Sequence, residues 1–130
     1  MAGKIIADQI QSTTAGTIDT KFVVSGSVKS WSNINGAGGA FFDSFNTSSH
    51  SDNGSGDGTV NLTNSMLNSN YSIAGSVDLQ YVNSAYSTRV LSTYGRTTSS
   101  YSEQAGYGNV SSIWLFEDRN RMSSLFGDLA

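Results

Sequence analysis

The chain has 130 residues and a formal net charge of −3, and it contains no Cys, no Pro and a single histidine, His50. Without cysteine there is no disulfide framework, no thiolate metal centre and no thiol nucleophile. The acidic balance, with a pI near 4.7, leaves no basic stripe of the kind that neutralises nucleic-acid phosphates. Ser, Thr, Asn and Gly make up nearly half of the residues, yet 37% are hydrophobic, 11% aromatic and only 13% charged. Disordered chains carry the opposite balance of charge and grease. The composition therefore implies a folded, β-rich protein whose surface is dressed in hydroxyls and amides, all weak helix formers. A small domain without covalent staples that works outside a cell would gain stability by oligomerising.

The N-terminal Met1-Ala2-Gly3-Lys4-Ile5-Ile6-Ala7-Asp8 carries an apolar run too short for a signal peptide, which needs roughly 7–15 such residues. No window approaches the ~20 apolar residues of a membrane helix. Met1 reads as a native start, so the expectation is a complete chain made in a cytoplasm without export. An outdoor composition on such a chain fits a virion component released by lysis. Residues 1–21 hold Ile5, Ile6, Ile10 and Ile18 as their large apolar side chains. That is too little for a core, so the segment either frays or is covered by another surface, its own β domain or identical copies. Residues 1–25 are read as an attachment and trimerisation segment, and residues 26–130 as a β-sandwich domain.

From Phe22 the pattern turns to period two. Phe22-Val23-Val24 predicts a strand, which Gly26 weakens and Val28 to Ile34 continues. Gly36-Ala37-Gly38-Gly39 reads as a turn. Ala40 to Thr47 predicts a strand with Phe41, Asp43 and Phe45 on one face. Ser48 to Gly58 reads as a long turn-rich tract. Thr59 to Met66 predicts a strand with Val60, Leu62 and Met66 pointing one way. Tyr71 to Val82 gives the strongest strand, with Tyr71, Ile73, Val77, Leu79 and Tyr81 on one parity. Tyr86 to Tyr94 repeats it more weakly, and Thr97 to Gly108 is polar. Val110 to Phe116 is apolar on both parities, as in a central strand or a subunit contact. Glu117 to Ala130 ends in a final strand or a short helical turn. No helix is expected. Seven or eight short strands with turns about every ten residues imply an all-β fold, an antiparallel sandwich or barrel.

Candidate chemistry is sparse. Asp52-Asn53-Gly54-Ser55-Gly56-Asp57-Gly58 superficially resembles a calcium loop, but counting from Asp52 puts Thr63 where an EF-hand needs a bidentate Glu. A hairpin turn is the simpler reading. His50 has no second His or Cys to share a metal with, and it is expected in a solvated loop. Glu103 and Glu117 are the only glutamates, and nothing pairs them as glycosidase carboxylates. No catalytic residue, metal or other cofactor is assigned. The tyrosines say more: Tyr81, Tyr86, Tyr94, Tyr101 and Tyr107 lie among Ser, Thr, Gly and Asn, the vocabulary of adaptable recognition surfaces. Tyr86, Tyr101 and Tyr107 are taken as receptor-binding, all five tyrosines, Tyr81, Tyr86 and Tyr94 above all, also being readable as inward strand residues.

Several segments in order carry a family resemblance. They are Lys4 to Gly16 (Lys-Ile-Ile-Ala-Asp-Gln-Ile-Gln-Ser-Thr-Thr-Ala-Gly) and Lys29-Ser30-Trp31-Ser32-Asn33-Ile34-Asn35-Gly36. Asp43 to Ser49, Asp52 to Thr63, Met66 to Tyr71 and the closing Phe126-Gly127-Asp128-Leu129-Ala130 continue it. Together they resemble short tail-fibre-like virion structural proteins of tailed phages, notably cyanophages. The resemblance implies a β-rich homotrimer without enzymatic activity, attached to other virion proteins through a slender N-terminal part. Ile5, Ile6, Ile10 and Ile18 are its expected attachment residues. The resemblance fails from about Asp78 to Asn109, which fits an outward-facing variable region. The expected function is attachment to the particle and adhesion to a host surface glycan or protein, with no nucleic-acid or membrane partner. A capsid decoration or cement trimer is the alternative, and a polysaccharide hydrolase the reading from another class.

Overall fold

The structure, a computed structural model, describes residues 6–78, 89–108 and 114–130. It is mostly β-structure, 60% strand in antiparallel sheets, with one helix among the described residues. The chain opens on a hairpin of β1 (Gln9–Ser12) and β2 (Gly16–Asp19), in which Ile10 faces Ile18 across the pair. Ser12 Oγ accepts hydrogen bonds from the Thr14 and Ala15 amides, and Gly16 takes a φ of +90° to close the turn.

Helix α1 (Thr20–Gly26) follows directly. It overturns the expected strand at Phe22-Val23-Val24 and the expectation of no helix. β-branched residues favour a strand only where a neighbouring strand completes the ladder, and α1 has none. Instead the Lys29 ammonium donates to the Val24 carbonyl and to Ser27 Oγ, placing a cation at the helix C-terminus. No residue of α1 is buried.

Two larger sheets make up the body. One runs β4 (Phe41–Phe45), β3 (Val28–Ile34), β11 (Arg121–Phe126), β7 (Ser72–Val77). The other is built on β9 (Ser100–Gly108). One edge of β9 pairs first with β6 (Asp57–Leu62) and then with β10 (Trp114–Phe116), while β8 (Arg89–Tyr94) holds its opposite edge. Strand β5 (Thr47–Gly54) pairs with the free side of β6. Neither sheet closes on itself. Ile34, Val60, Leu62, Met66, Tyr71, Tyr101 and Leu125, drawn from both sheets and their connections, form one buried cluster with Phe41 and Ile73 against it.

Three further expectations change. The turn-rich tract from Ser48 is strand β5 as far as Gly54, because Ser, His and Asn can alternate across a pleat when β6 supplies the ladder. The turn itself shrinks to Ser55-Gly56, with Gly54 at φ +131° and Gly56 at φ +66°. Phe41, Asp43 and Phe45 do not share a face: a register shift opposite Asn33 and Ile34 inserts Phe42, so Phe41 packs on the core while Phe45 is exposed. The polar stretch ending at Gly108 supplies the central strand β9. The end of the chain resolves as strand β11. Leu79, Tyr81, Tyr86 and Val110 to Ile113 lie outside the described residues.

Candidate functional site

Alternation along each strand gives the body two inner and two outer surfaces, each of distinct chemistry. The inner surface contains a polar chain as well as the apolar cluster. Glu103 on β9 and Arg121 on β11 are 0% and 2% exposed, with Glu103 Oε1 3.1 Å from Arg121 Nε. Ser123 donates to Glu103 Oε2 at 3.2 Å, and its oxygen lies 2.6 Å from the Tyr101 hydroxyl and 2.9 Å from Ser32 Oγ. Arg121 Nη2 lies 3.2 Å from His50 Nε2. Burial raises the Glu103 carboxyl above the usual carboxylate range despite the opposing pull of Arg121 and Ser123. Burial, then the Glu103 charge, pushes the Tyr101 hydroxyl up to about 12. Burial and the Arg121 charge lower His50, against weaker effects from Gly39 and Asp52. These groups have acid–base character, but all except the half-buried His50 are enclosed between the sheets, and their chemistry is that of an internal network.

The structure therefore corrects two readings. Tyr101, expected to meet a receptor, is 0% exposed and packs in the core, with its hydroxyl committed to Ser123. Its inward parity on β9 leaves it no route to a ligand. His50, expected in a solvated loop, is a strand residue opposite Val60, edge-on to the Phe41 ring and half-buried against Arg121. Tyr107 is partly buried, with the Arg89 guanidinium 5.3 Å from its ring centre. Glu117 accepts from Arg89 at 3.1 Å and Arg119 at 2.8 Å; burial works against its charge, but these bonds and the two cations hold its carboxyl low. Ile6, Ile10 and Ile18 are exposed on and before the hairpin, whereas Ile5 and Tyr86 lie outside the described residues. Among the described residues no group of three His, Asp or Glu side chains could hold a metal ion.

The outer face of the β4-β3-β11-β7 sheet sets large apolar side chains among polar ones. Its central row reads Phe45, Trp31, Ser124, Ala74 across the four strands, and the next reads Asp43, Asn33, Met122, Ser76. Phe45 and Met122 are exposed. A groove of about 520 Å³ crosses this face between Trp31, Ala74 and Met122. A second, of about 560 Å³, joins it to α1 through Val23, Val24, Val28, Phe45 and Leu129. The helix and the sheet thus contribute to one greasy surface.

The outer face of the other sheet is mostly polar. Outward positions are Ser49, Ser51 and Asn53 on β5, Asp57, Thr59 and Asn61 on β6, and Ser100, Ser102 and Gln104 on β9. Ser92 and Tyr94 on β8 extend it, and the exposed Val90 and Phe116, opposite Gly106 from either side, make an apolar row at one end. The side chains are tied to each other. Asn61 donates to Ser49 at 3.0 Å, Asn53 to Thr59 at 2.9 Å, and Thr59 Oγ1 lies 3.0 Å from Ser102 Oγ. The Tyr94 hydroxyl donates to both Asp57 carboxylate oxygens, at 2.7 and 2.8 Å, and Gln104 donates to Asp57 at 2.9 Å. Partial burial opposes the charge on Asp57, but the bonds from Gln104, Tyr94 and Asn53 and the field of Arg121 hold its carboxyl below the ordinary range. That bond to Asp57, with partial burial, raises the Tyr94 hydroxyl.

Sequence reasoning missed Tyr94 as an outward residue and missed both outer faces. The register supplies what was lacking: Tyr94 is opposite Ser102, and Ser102 is opposite Thr59, so all three share a face. Comparison with protein-family models, with curated proteins and with solved structures finds no match to this chain.

Proposed function

We propose that this chain is a non-enzymatic structural protein of a phage virion, tail-fibre-like, in which a β-sandwich trimerises through one outer face and presents the other. The observation that carries the reading is the difference between those two faces: exposed apolar side chains continuing onto α1 on one, and a lattice of hydrogen-bonded hydroxyls and amides on most of the other. A surface of exposed Phe45 and Met122 around a half-buried Trp31, continuous with a helix that buries nothing of its own, is stable only when covered. A cyclic trimer gives each subunit two neighbours that can cover such a surface.

The segments that resemble tail-fibre-like proteins support the virion assignment, and the exposed Ile6, Ile10 and Ile18 provide the attachment arm. Adhesion by three identical faces on one rigid body gains avidity without a tight single site. Sedimentation of the full chain is expected to give three times 13.8 kDa, and Phe45→Lys with Met122→Lys is expected to give monomers. A wild-type chain that is monomeric at micromolar concentration refutes the assembly. Loss of residues 6–19 is expected to leave the trimer intact and abolish its incorporation into particles. If that truncated chain still enters particles, the arm is not the attachment segment. If particles lacking it adsorb normally but lose head stability, the protein is a capsid cement instead.

A further inference from the structure

We propose that the outer face of the β5-β6-β9-β8 sheet is a binding site for a neutral glycan, with the Tyr94 ring as its stacking platform and Asp57, Gln104 and Asn53 around it. This deepens the adhesive part of the reading above and rests on it.

The argument begins with the reach of Tyr94. Its backbone is on β8 and its hydroxyl is bonded to Asp57 on β6, with β9 lying between. Neighbouring strands are about 4.8 Å apart, so the Tyr94 phenol, its hydrogen bond and the Asp57 side chain together bridge about two strand spacings. A ring in that bridge lies across the sheet, over the strand that carries Ser102 and Gln104. One of its faces rests on the protein and the other meets solvent, in keeping with an exposure of 41%. Tyr94 is thereby a flat aromatic plate clamped by its own hydroxyl, with no rotamer freedom left to lose on binding.

A pyranose offers an apolar face of C–H groups and a rim of hydroxyls. The plate suits the first, and the groups beside it suit the second. Asp57 has lone-pair capacity beyond the bonds from Tyr94 and Gln104 and stays ionised as an acceptor. Gln104 donates its amide to Asp57, which leaves its carbonyl to accept. Asn53 and Thr59 supply a further amide and hydroxyl at the edge of the plate.

Charge narrows the class. The outward positions of these four strands carry one acid, Asp57, and no Lys or Arg. An anionic polysaccharide would meet a like charge with no cation to offset it. A flat protein partner would require an apolar centre, and the apolar side chains of this face, Val90 and Phe116, lie at one end of it, beyond the row of Ser92, Gln104 and Asp57. Hydroxyl-bearing, uncharged sugar is the chemistry that remains.

The test is saturation-transfer NMR on the intact trimer. The probes are neutral oligosaccharides of glucose, galactose, mannose and N-acetylglucosamine, with 3′-sialyllactose as the anionic comparator. Transfer is expected to at least one neutral series, strongest at ring C–H protons, and weaker to sialyllactose. Tyr94→Ala is expected to weaken that binding about tenfold or more, and Gln104→Ala or Asn53→Ala about threefold each. The two amide variants leave the ring and the backbone ladder in place, so they carry the test if Tyr94→Ala does not fold. No transfer from any neutral series, equal binding of sialyllactose, or binding unchanged in the folded variants each overturns the proposal. Sedimentation of the same variants is expected to remain trimeric, so failure of the sugar site and failure of the assembly are read separately.

Discussion

Replacing Arg121 by Met isolates a fully buried carboxyl and gives a loss whose size depends on pH. In the native protein the Glu103 carboxylate faces the guanidinium at 3.1 Å, with neither group meaningfully exposed. Once the cation is gone, the carboxyl accepts a proton before it remains charged between two sheets. Its unfolded value is 4.5, so protonating it at pH 7 costs about 3.4 kcal/mol at 1.36 kcal/mol per pH unit. The native value is already raised by burial, which takes part of that cost in the wild type. The expected loss at pH 7 is therefore about 2–3 kcal/mol, roughly 10 °C in melting temperature for a chain of this size. At pH 4.5 most of the electrostatic part disappears, because the unfolded chain is itself half protonated. Adding Glu103→Gln to Arg121→Met is expected to recover most of the loss at pH 7, since an ion pair replaced at both ends leaves no orphaned charge. Thermal melts of the three proteins at pH 7 and 4.5, at one protein concentration, provide the assay. An Arg121→Met loss of the same size at both pH values, unrelieved by Glu103→Gln, refutes the electrostatic account and leaves only packing.

Other consequences are more compact. A methyl at Gly58 would lie 2.1 Å from His50 Nε2, so Gly58→Ala is expected to cost about 1–3 kcal/mol, with Gly58→Ala/His50→Ala restoring part of it in denaturant titration. His50 has its folded value lowered below 6.5 by burial and Arg121. Its contribution to stability is therefore present above pH 6.5 and lost as pH falls through the folded value. Acidification from pH 7.5 to 5.5 is expected to lower the melting temperature, and His50→Gln to flatten that dependence. Tyr101→Phe is expected to cost about 1–2 kcal/mol through the lost bond to Ser123, and Tyr101→Ala about 3–5 kcal/mol. If Tyr101→Ala instead impaired adhesion with an unchanged melt, Tyr101 would be a surface residue after all.

Much of the fold was legible where a strand buries one face. Val60, Leu62 and Met66 alternate in sequence and are all buried, and Ile73 lies against the same core. Legibility failed where partners, and not local preference, decide the outcome. Thr47–Gly54 reads as turn by composition and is a strand because β6 pairs with it. Phe22-Val23-Val24 reads as strand and coils because no ladder is offered. The site depended wholly on register. Tyr101 and Tyr94 are both tyrosines in polar surroundings, and only pairing to β6 and β9 shows that one points inward and the other outward. Glu103 and Arg121 carry no local signal of their contact, since it is made between strands of different sheets.

The position of β11 has a bearing on biosynthesis. It is the last strand in sequence, yet it lies in the middle of its sheet, between β3 and β7. Val28 waits for Phe126, and Ile73 for Leu125, so until Arg121–Phe126 is made β3 has only β4 beside it and β7 has no ladder partner among the described residues. A stop ahead of Arg121 would therefore remove the strand that joins the two halves of this sheet and yield a product for proteases.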